Sequence, residues 1–297
     1  MKIRIAAVLL LVAFLVTAML SGCRKQEISF TPTEEAFKNL AAAGIHAVEL
    51  SMEKGYMDAL DFSAVKNYAD TYGVEIWSCH LPFYPFEAVE LSALDAGLRE
   101  RTLSYYENLI AKASAVGITR FVAHPSGEPI PDTERKERLN CAKESLARLA
   151  DIANTYGATI AVEDLPRSCL GNTAEELAEL ISVNDKLRVC FDVNHLLQGT
   201  HTDFLKTVGH RILTVHISDY DFKDEKHWLP GEGDIHWQEL YQGLIAVGYE
   251  GIWMYELGQK PPRHLHRDRD LTFADYVENA KAIFAGEKPK ALGERLV

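Results

Sequence analysis

Short apolar runs alternate with longer amphipathic stretches along most of this 297-residue chain. Runs of four to six residues at 47–50, 74–79, 120–123, 160–163, 189–192, 213–216 and 252–256 read as buried strands. They are too short for helices and rich in Val, Ile, Phe and Trp. Between them, apolar positions recur at helical spacing. In residues 98–116, Leu103, Tyr106, Ile110 and Ala113 share one face, as do Leu139, Leu146, Leu149 and Ile152 in residues 135–156. Further helices are expected at 62–72, 173–183, 203–208, 237–247 and 273–284. Thr173 with Glu175 and Glu176, and Asp132-Thr133-Glu134, offer capping side chains with acids in the first turn. Gly44, Gly73, Gly117, Gly157 and Gly248 stand where a left-handed residue ends a helix.

Repeated strand–helix alternation predicts a parallel sheet. An open nucleotide-binding sheet usually carries a Gly-rich first turn, and the chain has none. Seven strands, with a short first strand at 26–30, predict an α/β fold of one closed (β/α)8 TIM barrel. No low-complexity linker or composition shift divides residues 23–297, so they are read as a single domain.

Four consecutive strands end in metal-ligand chemistry: Ile160-Ala161-Val162-Glu163, Val189-Cys190-Phe191-Asp192, Leu213-Thr214-Val215-His216 and Ile252-Trp253-Met254-Tyr255-Glu256. Parallel strands point the same way, so these ends converge on one face of the sheet. Two Glu, one Asp and one His there form a divalent-cation site. One such residue alone is an ordinary polar group where a strand meets water; four in consecutive units make that the weaker account. His80 and His124 end earlier strands. Each could bond sugar hydroxyls, ligate a second metal, or be satisfied by backbone. Glu49 either faces the site or caps the sheet. Trp228, Phe83 and Tyr84 fall in loops at the same end, where aromatic faces suit sugar C–H groups or plug the barrel. His227 and Lys226 belong to a long loop with the turn Pro230-Gly231-Glu232-Gly233, either a substrate-contacting lid or solvated structure.

The amino terminus adds a separate signal. Lys2 and Arg4 precede an almost wholly apolar stretch at 5–19, then Leu20-Ser21-Gly22-Cys23. This has the form of a secretory signal over residues 1–22. Its end resembles a bacterial lipobox, which implies a lipid-carrying Cys23 and export to a bacterial membrane, on the periplasmic or outer-membrane side. The apolar stretch is shorter than the roughly 20 residues a membrane span needs. Removing Lys2 and Arg4 takes the formal charge from −12 to −14. Such a chain repels polyanions, and no run of Lys and Arg interleaved with aromatics follows a phosphate backbone. Nucleic acid is excluded as a partner, and the membrane is met only through the anchor; homo-oligomer formation stays open. Cys79, Cys141, Cys169 and Cys190 show no paired spacing, so buried free thiols are expected.

The motifs Ser78-Cys79-His80-Leu81-Pro82-Phe83, Val122-Ala123-His124-Pro125, Val162-Glu163-Asp164, Phe191-Asp192-Val193-Asn194-His195, Val215-His216-Ile217-Ser218-Asp219, Pro230-Gly231-Glu232-Gly233-Asp234 and Tyr255-Glu256-Leu257, in this order, resemble the xylose-isomerase-like barrel superfamily. That group includes sugar-phosphate isomerase/epimerase proteins, D-tagatose 3-epimerase-like enzymes, hydroxypyruvate isomerase, inosose dehydratase and endonuclease IV. The resemblance implies Glu163, Asp192, His216 and Glu256 as metal ligands, Glu163 and Glu256 also as acid and base, and His195 on a substrate oxygen. His80, His124, His227 and Trp228 complete the expected substrate contacts. The implied activity is isomerisation or epimerisation of a sugar or keto-sugar through an enediolate, or a related lyase step. One ion of Mn²⁺, Mg²⁺ or Co²⁺ is expected, with Zn²⁺ also compatible. Three carboxylates against a dication leave the site at −1, which favours a neutral sugar.

A second enzyme reading comes from the same superfamily. His80, His124, Glu163, Asp192, His195, His216 and Glu256, with Glu225-Lys226-His227, correspond in type and order to the zinc ligands of endonuclease IV-like phosphoesterases. Acidity, export and the lack of basic loops count against a nucleic-acid substrate. A non-catalytic sugar-binding lipoprotein is the alternative that fold alone does not exclude.

Overall fold

A computed structural model describes residues 4–7, 9–10 and 32–296. Two short strands, β1 (Arg4–Ala7) and β2 (Leu9–Leu10), share one sheet position. The ring continues through β3 (Ala47–Ser51), β4 (Glu75–His80), β5 (Arg120–Ala123), β6 (Thr159–Glu163), β7 (Arg188–Asp192) and β8 (Ile212–His216), paired in parallel in chain order. β9 (Ile252–Tyr255) follows β8 through the parallel Ile217–Tyr255 bridge. β1 pairs with β9 and β2 with β3, which closes the circle. The chain is thus the expected (β/α)8 barrel. The first strand expected at 26–30 lies outside the described residues, as does Cys23. The sheet position next to β3 is filled by backbone from the N-terminal apolar stretch.

Helices cover the outside: α1 (Glu34–Ala42), α2 (Lys54–Asp58), α3 (Phe62–Tyr72), α4 (Ala96–Ser114), α5 (Asp132–Thr155), α6 (Ala174–Ile181), α7 (His201–Val208), α8 (Trp237–Ala246) and α9 (Phe273–Phe284). α3 and α9 have the expected boundaries, whereas α1 and α2 are additional to the sequence-based assignment. Local chemistry sets the ends. Asp61 caps α3 by accepting from the Ser63 and Ala64 N–H groups, and Gly73, at φ 67°, ends it in the left-handed region. Thr173 caps α6 from the Glu176 N–H, as its sequence suggests. α5 differs: its cap position is Pro131, which has no side-chain acceptor, and Asp132 instead joins Glu134 in the first turn, where a negative charge suits the helix dipole.

The strands sort their side chains by the period of two. Ile160 and Val162 of β6, Val189 and Phe191 of β7, and Trp253 and Tyr255 of β9 join the large core beneath the helices. The alternate residues Ala161 and Cys190 pack with Val122 in a small inner cluster, and Met254 packs with Ile252 and Ala47 in another. Two positions further along each strand, the same inward direction belongs to His124, Glu163, Asp192 and Glu256. The outer layer is tightly engaged: Phe191 stacks on Phe204 of α7 at 4.1 Å. Removing a buried ring of this kind costs about 3–5 kcal/mol.

The C-terminal segment folds back onto the loop after β8, where Arg295 donates to Glu232 O and pairs with Asp234. β10 (Leu265–His266) pairs with β11 (Glu294–Arg295) in antiparallel fashion. Among the described residues, no helix is long and apolar enough to cross a membrane.

Candidate metal centre

Glu163, Asp192 and His216 are the last residues of β6, β7 and β8, and Glu256 directly follows β9. All four are buried. One ligand atom from each lies within 4.8 Å of the others. His216 is the hub. Its Nδ1 lies 3.0 Å from Glu163 Oε1 and 2.8 Å from Glu256 Oε2, and its Nε2 lies 3.0 Å from Glu49 Oε1. A ring between carboxylates on both sides calls for positive charge, either a second proton or a cation at Nδ1. Burial alone would lower the His216 pKa, but the charges of Glu256, Glu49 and Glu163 help hold it well above the ordinary value. Asp192 is pushed well above the usual carboxylate range by burial and by Glu256 and Glu163 beside it. Glu256 resists burial through His216 and stays below its usual range.

The donor set fits a divalent cation. Asp192 Oδ2 and Glu256 Oε2 are buried without a hydrogen-bond partner. The 2.8 Å approach of Glu256 Oε2 to His216 Nδ1 is therefore a close contact without hydrogen-bond alignment. Buried carboxylate oxygens normally find donors, and oxygens left over in this way are what a hard cation takes.

The neighbouring histidines are aimed at the same centre. His80, His195 and His227 each place Nδ1 on a backbone carbonyl: Leu81 O at 2.9 Å, Asp164 O at 2.8 Å and Glu256 O at 2.9 Å. With Nδ1–H donated there, Nε2 turns to the acids. His80 Nε2 is 2.9 Å from Glu163 Oε2, His195 Nε2 is 3.4 Å from Asp192 Oδ2, and His227 Nε2 is 2.6 Å from Glu225 Oε1. His124 Nε2 lies 3.1 Å from Glu163 Oε2, with Phe83 stacked on its ring at 3.9 Å. Three further groups have ligand spacing beside the quartet: Glu163 with Cys190 and His216, His80 with His124 and Glu163, and His195 with Glu225 and His227. Glu225 resists burial through His195 and His227 and sits well below the usual carboxylate range.

The structure thus brings the quartet, His80, His124, His195 and His227 together. Trp228, the remaining expected substrate contact, directly follows His227 in the loop after β8. Trp228 is 2 % exposed and lies beneath the Arg295 guanidinium, 5.1 Å from the ring centre. Its strand-like pairing with Asp219 turns it under the C-terminal segment. Two residues not assigned from sequence join the site. Glu49 holds His216, and Arg167 clamps the mouth loops. Arg167 donates to both Glu128 oxygens at 2.8 Å and to Asp224 and Glu225 at 3.0 Å. Arg167, Phe222 and His227 have φ of 53°, 57° and 51°, an uncommon region for non-glycine residues. All three belong to the loops after β6 and β8. A separate hollow of about 360 Å³, lined by Phe86, Glu90, Leu94, Glu128 and Arg138 among others, holds none of the ligand side chains.

Comparison with known proteins agrees with this architecture. A family profile described as xylose isomerase-like TIM barrel matches residues 37–275. Inosose isomerase of Bacillus velezensis is 28% identical over 204 residues, covering 64% of this chain and 70% of the relative. Fructoselysine 3-epimerase of Shigella flexneri is 24% identical over 241 residues, covering 76% and 85%. The crystal structure of a D-tagatose 3-epimerase-like protein superposes with a TM-score of 0.70 at 24% identity, covering 81% of this chain and 89% of that one. At that identity the superposition speaks for the fold.

Proposed function

The chain belongs to the xylose isomerase-like TIM barrel family, and from that membership and the quartet at the barrel mouth we propose a divalent-metal-dependent isomerase or epimerase of a neutral sugar or keto-sugar. The observation that carries this is the buried group Glu163, Asp192, His216 and Glu256, with two carboxylate oxygens lacking a donor. The names of the two enzyme relatives, an isomerase and a 3-epimerase, support the reaction class. Mn²⁺, Mg²⁺, Co²⁺ and Zn²⁺ all suit an N/O donor set.

When bound, the ion would supply polarisation of a sugar oxygen and charge stabilisation for an enediolate. The protein's own groups do the rest. Glu163 and Glu256 flank His216 Nδ1 from different strands, so one can take the proton beside the carbonyl while the other returns one. His195, anchored through Nδ1 on Asp164 O, offers Nε2 to a substrate oxygen.

Glu→Gln keeps an oxygen ligand but is a far poorer proton acceptor. Glu163→Gln and Glu256→Gln should therefore keep the fold and some metal yet lose about 10²–10⁴-fold in turnover. Wild type should incorporate solvent deuterium at the carbon beside the reacting carbonyl. Conversion without any exchange would replace the enediolate by a hydride shift. Sugar binding without conversion by any of the three proteins would leave a binding protein.

A second reading rests on two of the additional ligand groups, His80/His124/Glu163 and His195/Glu225/His227. Filled together with the quartet, they would suit a multinuclear zinc phosphoesterase. Elemental analysis separates the two: one ion per chain supports the isomerase, and two or three zinc ions support the hydrolase.

We also propose export as a lipid-anchored protein, on the strength of Lys2, Arg4, the apolar 5–19 stretch and Cys23. Cleavage before Cys23 would remove β1 and β2, so the sheet position between β9 and β3 would need another segment, for which residues 24–31 are adjacent in sequence.

A further inference from the structure

We propose that Glu49 is a positioning residue of the metal centre: its carboxylate holds the His216 ring so that Nδ1, and not Nε2, is presented to the ion. This rests on the metal-dependent activity proposed above. Nothing in the residue's surroundings suits a mere cap on the sheet. Glu49 is wholly buried at the middle of β3, a strand not adjacent to β8 in the barrel. Its Oε1 accepts from His216 Nε2 at 3.0 Å, and its Oε2 accepts from Ser78 Oγ at 2.6 Å. Ser78 thus holds the carboxylate in the orientation that leaves one oxygen for the imidazole. A buried carboxylate is costly to leave unpaired, so this pairing is a strong constraint on the ring.

The backbone is built for it. Along the β3–β4 ladder Ala47 pairs with Glu75 and Val48 with Ile76, after which the register shifts and Glu49 pairs with Ser78. Regular pairing would have put Trp77 opposite Glu49. The one-residue irregularity instead brings Ser78 beside the carboxylate. Irregularities of this kind often re-aim a side chain near a site.

A contrast with the other imidazoles isolates the role. His80, His195 and His227 are oriented by backbone carbonyls, which no substitution removes. His216 is oriented by a side chain, and that side chain is charged. A carboxylate on the far nitrogen fixes the tautomer and also raises the ring's strength as a ligand. Gln at position 49 keeps an acceptor for Nε2–H without the charge. Ala removes both.

The test is Mn²⁺ titration by calorimetry of the full chain, with melting curves of the metal-free proteins alongside. Glu49→Ala should weaken Mn²⁺ binding about 10–100-fold, the usual effect of losing such a partner, and Glu49→Gln should fall between it and wild type. In zinc-loaded wild type, nitrogen-15 spectra should show His216 bound through Nδ1, and that assignment should be lost or mixed in Glu49→Ala. If Glu49→Ala does not fold, Glu49→Gln decides by the same titration. Lowered melting temperatures with Mn²⁺ affinity equal to wild type would overturn the positioning role and make Glu49 structural. Wild type that binds no divalent ion would instead overturn the metal-dependent activity itself, and the role of Glu49 with it.

Discussion

Asp219 offers a quantitative check on how the loop after β8 is held. The residue is wholly buried, and each carboxylate oxygen serves two donors. Oδ1 accepts from the Tyr220 N–H at 2.9 Å and the Ile235 N–H at 3.1 Å; Oδ2 accepts from the Gly231 N–H and Trp237 Nε1–H, both at 2.8 Å. Asp219→Asn is nearly isosteric, so no cavity forms. Whichever way the amide turns, its NH2 replaces one acceptor and faces two N–H groups. Stranding two buried donors costs about 1–3 kcal/mol each, or about 2–6 kcal/mol together. Part of this is recovered. Burial holds the Asp219 carboxyl above its usual range despite the four donors, and the neutral amide escapes that desolvation. The net expectation is about 2–4 kcal/mol, or a fall of about 4–16 °C in Tm at roughly 2–4 °C per kcal/mol for a chain of this class. Thermal and urea melts of the two proteins measure it, and hydrogen exchange should quicken in residues 220–235, which carry Glu225 and His227. A Tm within 2 °C of wild type would refute the reasoning, because the two donors would then have other partners.

Three more outcomes follow from particular residues. His216 and Asp192 have raised pKa values, so both favour the protonated form and ion uptake must displace protons. Mn²⁺ affinity should therefore fall about tenfold per pH unit, per proton released, as pH drops below those values; calorimetry in buffers of different ionisation enthalpy counts the protons, and none released at pH 7 would sink the idea. In Gly127→Ala the new Cβ would stand 2.6 Å from the Phe86 ring and would also collide with Glu90 Oε2, which should cost about 1–3 kcal/mol by overpacking, read as a lower urea midpoint at unchanged slope. Cys23→Ser should abolish lipid labelling and membrane retention, and a wild-type protein that fractionates with the cytosol and keeps Met1 would rule out the anchor.

The quartet was legible because a strand has a period of two and parallel strands share a direction. Reading the last inward position of four consecutive strands was enough to find Glu163, Asp192, His216 and Glu256. The helix boundaries of α3 and α9 were legible for a related reason, since capping and closing signals are local. What sequence did not yield depends on distance or on irregularity. Arg167 meets Glu128 and Glu225 across 39 and 58 residues, and no periodicity links them. Glu49 could not be assigned because the register shift beside it has no residue signature. The bridge of Trp228 to Asp219 and its cover by Arg295 likewise join residues that no local pattern links.

Glu163 has a further consequence, because its two oxygens face different company. Oε1 meets His216, while Oε2 meets both His80 and His124, at 2.9 and 3.1 Å. Electron density drawn toward a cation on one oxygen is density withdrawn from the other. Filling the quartet, on the proposed reading, should therefore weaken the hold of Glu163 on the Nε2 atoms of His80 and His124 and leave them more available to a hydroxyl. Arming the centre and uncovering the docking groups for an incoming hydroxyl would then be one event, timed by a single carboxylate. On the proposed reading, a sugar arriving before the ion would find those groups still engaged, and binding would be expected in the order ion before sugar.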